Sequence, residues 1–375
     1  MKNKLISLVL FLLITLSVFA KEETDSVSSH YAVPSSWFLV PAGFYQEETS
    51  LGLGINGGYY LKSKSLDRIS SISGNAFYTL LNQVKINLNP RFYMADDKIY
   101  LTSRVQLRHY VEHYYGISND IKALVGVDED NANVYTSQIF DIDIEPFYNI
   151  NRDLSAGLYI DLRGERMVKY NEKLQANLEE YKSIYGNAGW DDYFMFGLGA
   201  QFMYDTRDNM FYPQKFSNFL KLSAITYNKT LGSSFNLTSL KLDFRQYVPT
   251  WLGQVFAWQV KFETALGNEM PFQMLPTVGG SDNIRGIRER KFIDNSMFEC
   301  QVEYRIPIWW RLKAAVFCSV GDVFDIYNPS IVKPKIGYGV GVRCRINDAR
   351  VNVRVDFAGN NYGEFKFYIT ATEAF

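Results

Sequence analysis

Along most of the chain apolar and polar residues alternate one by one, the period of a strand whose two faces meet different surroundings. In VKINLNPRF, Val84, Ile86 and Leu88 alternate with Lys85, Asn87 and Asn89. FDIDIEPF sets Phe140, Ile142 and Ile144 against Asp141, Asp143 and Glu145, and LKLDFRQYV sets Leu240, Leu242 and Phe244 against Lys241, Asp243 and Arg245. VNVRVDF opposes Val351, Val353, Val355 and Phe357 to Asn352, Arg354 and Asp356. Runs of this kind between turn signals number about 16. They cover 36–46, 51–62, 68–80, 83–95, 98–111, 133–150, 153–168, 189–205, 218–230, 236–249, 254–267, 296–309, 312–324, 334–346, 349–358 and 364–375. Turns such as MADDK, NRDL and INDA are short, whereas the connections 112–132, 169–188 and 268–295 are long.

The start of the chain changes what surrounds these strands. MKNKLISLVLFLLITLSVFA places Lys2 and Lys4 ahead of an apolar run and small residues Val18 and Ala20 before a cut after Ala20. That pattern predicts a secretory signal peptide over 1–20, since the apolar run falls short of the ~20 residues a spanning helix needs. A short periplasmic segment, 21–35, and one barrel domain, 36–375, then follow. A net charge of −1 and a pI near 6.4 give no electrostatic argument for nucleic acid. Aromatics make up 16% of the chain, with 27 Phe and 26 Tyr, more than a soluble core needs. They gather at strand ends (YNI, WLG, IPIWW, EAF), where membrane barrels carry interfacial girdles. A soluble sandwich also alternates, but its polar face looks into bulk water. The pattern therefore predicts an all-β transmembrane antiparallel β-barrel with lipid outside, a wet lumen inside, and its long connections extracellular or folded inward.

Candidate chemistry is sparse. The three cysteines share parity with apolar neighbours: Cys300 with Val302, Cys318 with Val316 and Val320, Cys344 with Val340 and Val342. They read as small lipid-facing residues, neither metal ligands nor a disulfide. The acidic stretch VGVDEDNANV lacks calcium-loop spacing and reads as a solvated loop. His30, His109 and His113 are the only histidines; His113 near Asp120 is a candidate rim site, but no matched nucleophile accompanies it. No catalytic residue, cofactor or metal is expected. Arg245, Arg305, Arg343, Arg345 and Arg354 face the lumen by parity, alongside Asp243, Glu303 and Asp356.

VGGSDNIRGIRERKF, Val278–Phe292, concentrates glycines and basic residues in one long connection. It resembles the signature loop of the BamA/TamA superfamily of outer-membrane barrels, the bacterial surface antigens, whose (V/I)-R-G-(F/Y) motif is carried by Ile284, Arg285, Gly286 and Ile287 after Gly279 and Gly280. DTRDNMFYPQKF, Asp205–Phe216, is similar to the family's D-T-R-D-x-x-F-x-P turn; VEYRIPI and HYYGISND resemble two further family segments. Five strands follow the loop, as the resemblance requires. It implies that the loop folds back into the lumen and that Arg285 meets the inner wall. A guanidinium there needs a carboxylate, and Glu303 is the first candidate, with Asp356 and Asp243 behind it. In the family's F-x-D-x-G strand this chain reads Phe317, Cys318, Ser319, Val320, Gly321, so Ser319 stands where the resemblance expects the arginine's carboxylate; Ile287 replaces an aromatic.

The segment before the first strand is too short for the family's periplasmic POTRA domains. EFKFYITATEAF places Phe365, Phe367, Ile369 and Phe375 on one parity and resembles the signal by which the barrel-assembly machinery recognises clients. The resemblance implies a non-enzymatic protein of a Gram-negative outer membrane. Its expected surroundings are membrane lipid, the assembly machinery during insertion, and client or envelope proteins. Its expected role is insertion or translocation of other proteins, or support of an envelope complex. The competing expectation is a passive channel or structural surface protein whose loop narrows the pore.

Overall fold

The computed structural model describes residues 20–22, 35–46, 50–63, 68–120 and 133–375. Residues 1–19 of the expected signal peptide, most of the expected periplasmic segment and the acidic stretch at 125–132 lie outside the described residues, as does His30. Among the described residues sixteen strands follow the alternating runs closely, and a short strand, Ala20–Glu22, pairs with the first of them at Ser36–Phe38. The first half of the sixteen comprises β1 Ser36–Gln46, β2 Ser50–Tyr60, β3 Ser71–Thr79, β4 Val84–Met94, β5 Ile99–Tyr114, β6 Asn133–Asn149, β7 Leu154–Tyr170 and β8 Tyr193–Asp205. The second half comprises β9 Ser217–Tyr227, β10 Leu237–Pro249, β11 Val255–Leu266, β12 Ser296–Trp309, β13 Leu312–Phe324, β14 Lys335–Arg345, β15 Asn352–Asn360 and β16 Phe365–Ala371. Each pairs antiparallel with the next in sequence, and β16 stands beside β1 in the strand order. All three long connections leave the same end of the sheet, because each follows an odd-numbered strand.

Burial is inverted relative to a water-soluble domain. Along β12, Glu299, Gln301, Glu303 and Arg305 are buried, while Phe298, Cys300, Val302 and Tyr304 between them are not. Leu158 and Val340 are 59% and 55% exposed, whereas Arg285, Arg305, Arg343 and Arg354 are fully buried. A hydrocarbon solvent outside and a polar interior produce this sign. Cys318 is exposed and Cys300 and Cys344 half-exposed, all three as free thiols on the outward parity.

The structure departs from simple alternation in three places. First, Val351, Val353 and Val355, expected toward lipid, are buried; Val351 and Val353 share one apolar cluster with Phe38 and Val40 of β1. Where the first and last strands adjoin, protein replaces lipid on that face. Second, the connection after β7 contains a helix, α1, Glu172–Tyr185. The Asn171 side chain accepts the Leu174 N–H, the Gly186 N–H (φ 85°) donates to the Lys182 carbonyl, and Leu174, Leu178 and Tyr181 recur at helical spacing on the buried face. That face closes an aromatic roof over the long-loop end, where the Trp190 and Tyr114 rings each lie 4.8 Å from Phe272. Third, the last strand stops at Ala371 rather than running to 375, and Phe375 leaves the outward parity of Phe365 and Phe367 to become 4% exposed inside the wall.

Inserting a charge on the hydrocarbon side tests this orientation. Val340→Arg, midway along β14, is expected to lower folding free energy in lipid vesicles by about 2–4 kcal/mol. The lumen-side change Lys85→Gln is expected to cost less than about 1 kcal/mol. Equal costs in urea titrations would contradict the assigned faces.

Candidate functional site in the barrel lumen

The connection between β11 and β12 re-enters the barrel as a hairpin, opened by the pairs Thr277–Ile293 and Val278–Phe292. Gly279, Gly280 and Gly286 adopt φ of 99°, 105° and 99°, a region that costs other residues strain. Between them the chain turns tightly enough for the Gly280 N–H to donate to the Ile287 carbonyl at 3.1 Å. Ile284 and Ile287 are fully buried, joining Val278, Phe292, Met297 and Val323 in one cluster. An aliphatic residue fills the place of the expected aromatic at 287 without leaving a solvent-exposed site.

The wall is shaped to receive this tip. On the inward parity of β14 stand Gly337, Gly339 and Gly341. A methyl group on Gly337 would lie 2.1 Å from the Arg285 carbonyl, on Gly339 2.5 Å from the Phe317 ring, and on Gly341 1.9 Å from Asp356 Oδ1. Gly286 itself lies against the Gly359 carbonyl. The loop backbone is held there by two bonds: the Gly286 N–H donates to Tyr368 Oη at 3.0 Å, and Asn360 Nδ2 donates to the Gly286 carbonyl at 2.8 Å.

Arg285 is the centre of this contact. Its Nη1 donates to Glu303 Oε2 at 2.9 Å and to Asp356 Oδ2 at 2.8 Å, and its guanidinium stacks 3.4 Å from the Phe317 ring centroid. Arg343 binds the same two carboxylates from the wall, at 3.0 Å and 2.5 Å, and reaches Glu373 with Nε at 3.1 Å. Arg305 completes Glu303 at 2.8 Å, and Arg354 bridges Asp356 at 3.3 Å to Asp282 of the loop at 2.6 Å. Four guanidiniums thus meet four carboxylate side chains in a space where an unpaired charge would be costly. Around this centre the loop reaches other walls: Arg288 bonds His113 and Tyr115, Arg290 lies 3.4 Å from Glu112, and Lys291 pairs with Glu364 at 2.6 Å. Burial works against ionisation of Glu364, yet the Lys291 ammonium holds its carboxyl below its ordinary value. That contribution is complete above the usual glutamate pKa of about 4.3 and is lost as pH falls through the lower folded value.

Among the sequence candidates, Glu303 and Asp356 reach Arg285 together. Ser319 does not; it is buried and its hydroxyl donates to the Gly337 carbonyl at 3.4 Å. The carboxylate absent from β13 is supplied from β15, two strands away, and Phe317 contributes its ring face instead. Asp243 bonds Arg245 on its own strand at 2.5 Å and takes no part. His113 is engaged by the loop's Arg288, so the candidate rim site is a loop contact. Parity places Arg343 on the inner wall without giving it a partner and is silent on Glu373 and the β14 glycines, although GYGVGVR, with glycine at every inward position before an arginine, carries the signal.

A second buried carboxylate group, Asp141, Asp143 and Asp161, lines β6 and β7. Arg104 Nε donates to Asp143 at 2.6 Å, Arg163 lies 3.5 Å from Asp141, and Tyr227 donates to Asp161 at 2.6 Å. Guanidiniums and phenols bond one or more oxygens of each carboxylate, which braces the wall.

Arg285→Ala is expected to leave export intact and to lower the fraction migrating as a heat-resistant barrel. Glu303→Gln should lower it further, because three guanidiniums lose their shared acceptor. Gly341→Ala should behave like Asp356→Asn, since the added methyl displaces the carboxylate. Ser319→Ala should be near neutral. Unchanged heat resistance in Arg285→Ala would refute the anchoring role.

Comparisons with known proteins place this geometry. Curated protein sequences return no match. Among solved structures, BamA from Haemophilus ducreyi lacking POTRA domains 1–3 superposes with a TM-score of 0.58 at 13% identity, covering 98% of this chain and 78% of that one. CdiB from Acinetobacter baumannii gives 0.54 at 10% identity, covering 90% of this chain and 59% of that one. CdiB from Escherichia coli gives 0.54 at 9% identity, covering 92% and 63%. At such identities the likeness is one of fold. The Omp85 superfamily domain matches residues 70–375, which include the lumen loop, its wall and every anchoring carboxylate. The chain belongs to the Omp85 superfamily.

Proposed function

We propose that this protein is a Gram-negative outer-membrane barrel that helps insert or translocate other envelope proteins, alone or as an accessory of a larger complex, without enzymatic chemistry. The observation that carries this reading is the lumen loop seated on Glu303 and Asp356 at the wall. A barrel built only to pass solutes has no need of an ion-pair network holding a loop across its interior. The long-loop end faces the exterior in this reading, and the short turns face the periplasm. Exposed Trp251, Trp309 and Trp310 at neighbouring short turns then mark the periplasmic membrane interface. Client handling takes place at the barrel wall where β1 adjoins β16, with the loop keeping the remaining strands in order.

The loop seated in the lumen and the aromatic roof favour, as the second reading, a structural barrel rather than an open channel. Vesicles containing the purified protein should speed folding of an unfolded outer-membrane barrel relative to empty vesicles, scored by heat-resistant migration, and Arg285→Ala should abolish the gain. Acceleration by wild type alone supports the insertion role. No acceleration, together with negligible conductance in planar bilayers and no co-purifying envelope protein, would leave the structural reading; steady conductance would restore the channel.

A further inference from the structure

The segment after β16 does not continue the wall. Thr372 takes φ of 69°, an uncommon value for a β-branched residue, and redirects the chain inward. Ala374 and Phe375 then pack with Tyr247, Val255 and Ala257 of β10 and β11, on a part of the wall remote from β16 in the strand order. Arg305 Nη2 donates to the main-chain oxygen of Phe375 at 2.9 Å, and the same guanidinium lies 5.4–5.6 Å from the ring centroids of Tyr212, Tyr247 and Phe375. Glu373 is 8% exposed; its Oε2 receives Arg343 Nε at 3.1 Å and its Oε1 receives Asn352 Nδ2 at 2.6 Å.

Charge makes this segment part of the lumen site. Among the groups joined by direct ion pairs, the wall supplies Arg305, Arg343 and Arg354 against Glu303 and Asp356, an excess of one positive charge. The loop brings Arg285 and Asp282 and changes nothing. Glu373 adds a carboxylate to the same network through Arg343, and Phe375 adds a main-chain oxygen through Arg305. Glu303 joins the two ends directly, accepting from Arg285 of the loop with one oxygen and from Arg305, which holds Phe375, with the other.

We propose that Glu373–Phe375 is an internal latch, docked in the Arg305–Tyr212–Tyr247 pocket at the short-turn end, and that its release is coupled through Glu303 and Arg343 to release of the lumen loop. Because the latch continues directly from β16, freeing it also frees the end of the last strand. A disturbance of the loop at one end of the barrel is thereby transmitted to the edge of the sheet at the other.

Thiol accessibility tests this in the full chain, with Cys300, Cys318 and Cys344 replaced by alanine. Ala374→Cys, in protein reconstituted into vesicles, is labelled with a water-soluble maleimide, and only the heat-resistant band is scored, so that loss of yield does not enter. Labelling is expected to be at least about tenfold slower than at Lys215→Cys on an exposed short turn, and to rise about tenfold when Arg285→Ala or Glu303→Gln is added, a coupling within the usual range. Coupling is reciprocal. Phe375→Ala, which leaves the loop intact, should therefore raise labelling of Asn283→Cys in the loop by a similar factor. Fast labelling of Ala374→Cys in the parent overturns the docked latch. Slow labelling that none of these substitutions changes overturns the coupling. Neither result depends on whether the protein inserts clients.

Discussion

A guanidinium removed from water must meet carboxylates, and the lumen of this barrel is arranged around that requirement. Arg285 arrives from a connection outside the wall, yet its partners, Glu303 and Asp356, lie on strands separated by two others. Satisfying it fixes the loop's depth, the spacing of β12 and β15, and the small residues between them. The inward glycines of β14 follow from the same demand, since a methyl at 337 or 341 would occupy the place of the loop backbone or of the ion pair itself. Arg343 then divides its three nitrogens among the two anchoring carboxylates and Glu373, so its movement would take a partner from all three.

This polar centre is possible because lipid supplies the apolar environment that a soluble domain must build inside itself. Leucine, valine and free thiols occupy the outward parity, and the buried volume is left to charged and amide side chains. Apolar packing returns where the strand pattern ends: in the aromatic roof formed with α1, in the cluster under the lumen loop, and where β1 meets the last strands. These patches seal one end and one edge of a barrel whose middle is held by charge.

The Omp85 superfamily domain spans the loop and the strands after it, and where the chain departs from the motif it resembles, Arg285 finds its partners on other strands. Ser319 cannot accept the arginine as a carboxylate would. Asp356 does so from β15, and the Phe317 ring takes the face of the guanidinium. The constraint is on charge and distance, and more than one strand is able to satisfy it.

Period-two alternation determined the strands and most of their faces, and with the aromatic strand ends the class of fold, because the side-chain repeat of a strand is local and lipid rewards it at every outward position. It also placed Glu303 and Asp356 on the inner wall. It gave 169–188 as a long connection, within which the tertiary structure adds helix α1, stabilised by its Asn171 cap and by a roof assembled from distant connections; it failed at Val351 and Val353, whose covering partner is some three hundred residues earlier in the chain. It failed again at Phe375, which alternation assigned to lipid. Which carboxylate meets Arg285, and why the last residues turn inward, are decided only when strands far apart in sequence close around one shared lumen. Ion pairing depends on distances of a few ångströms between those strands, and parity specifies a face without specifying the neighbour across it.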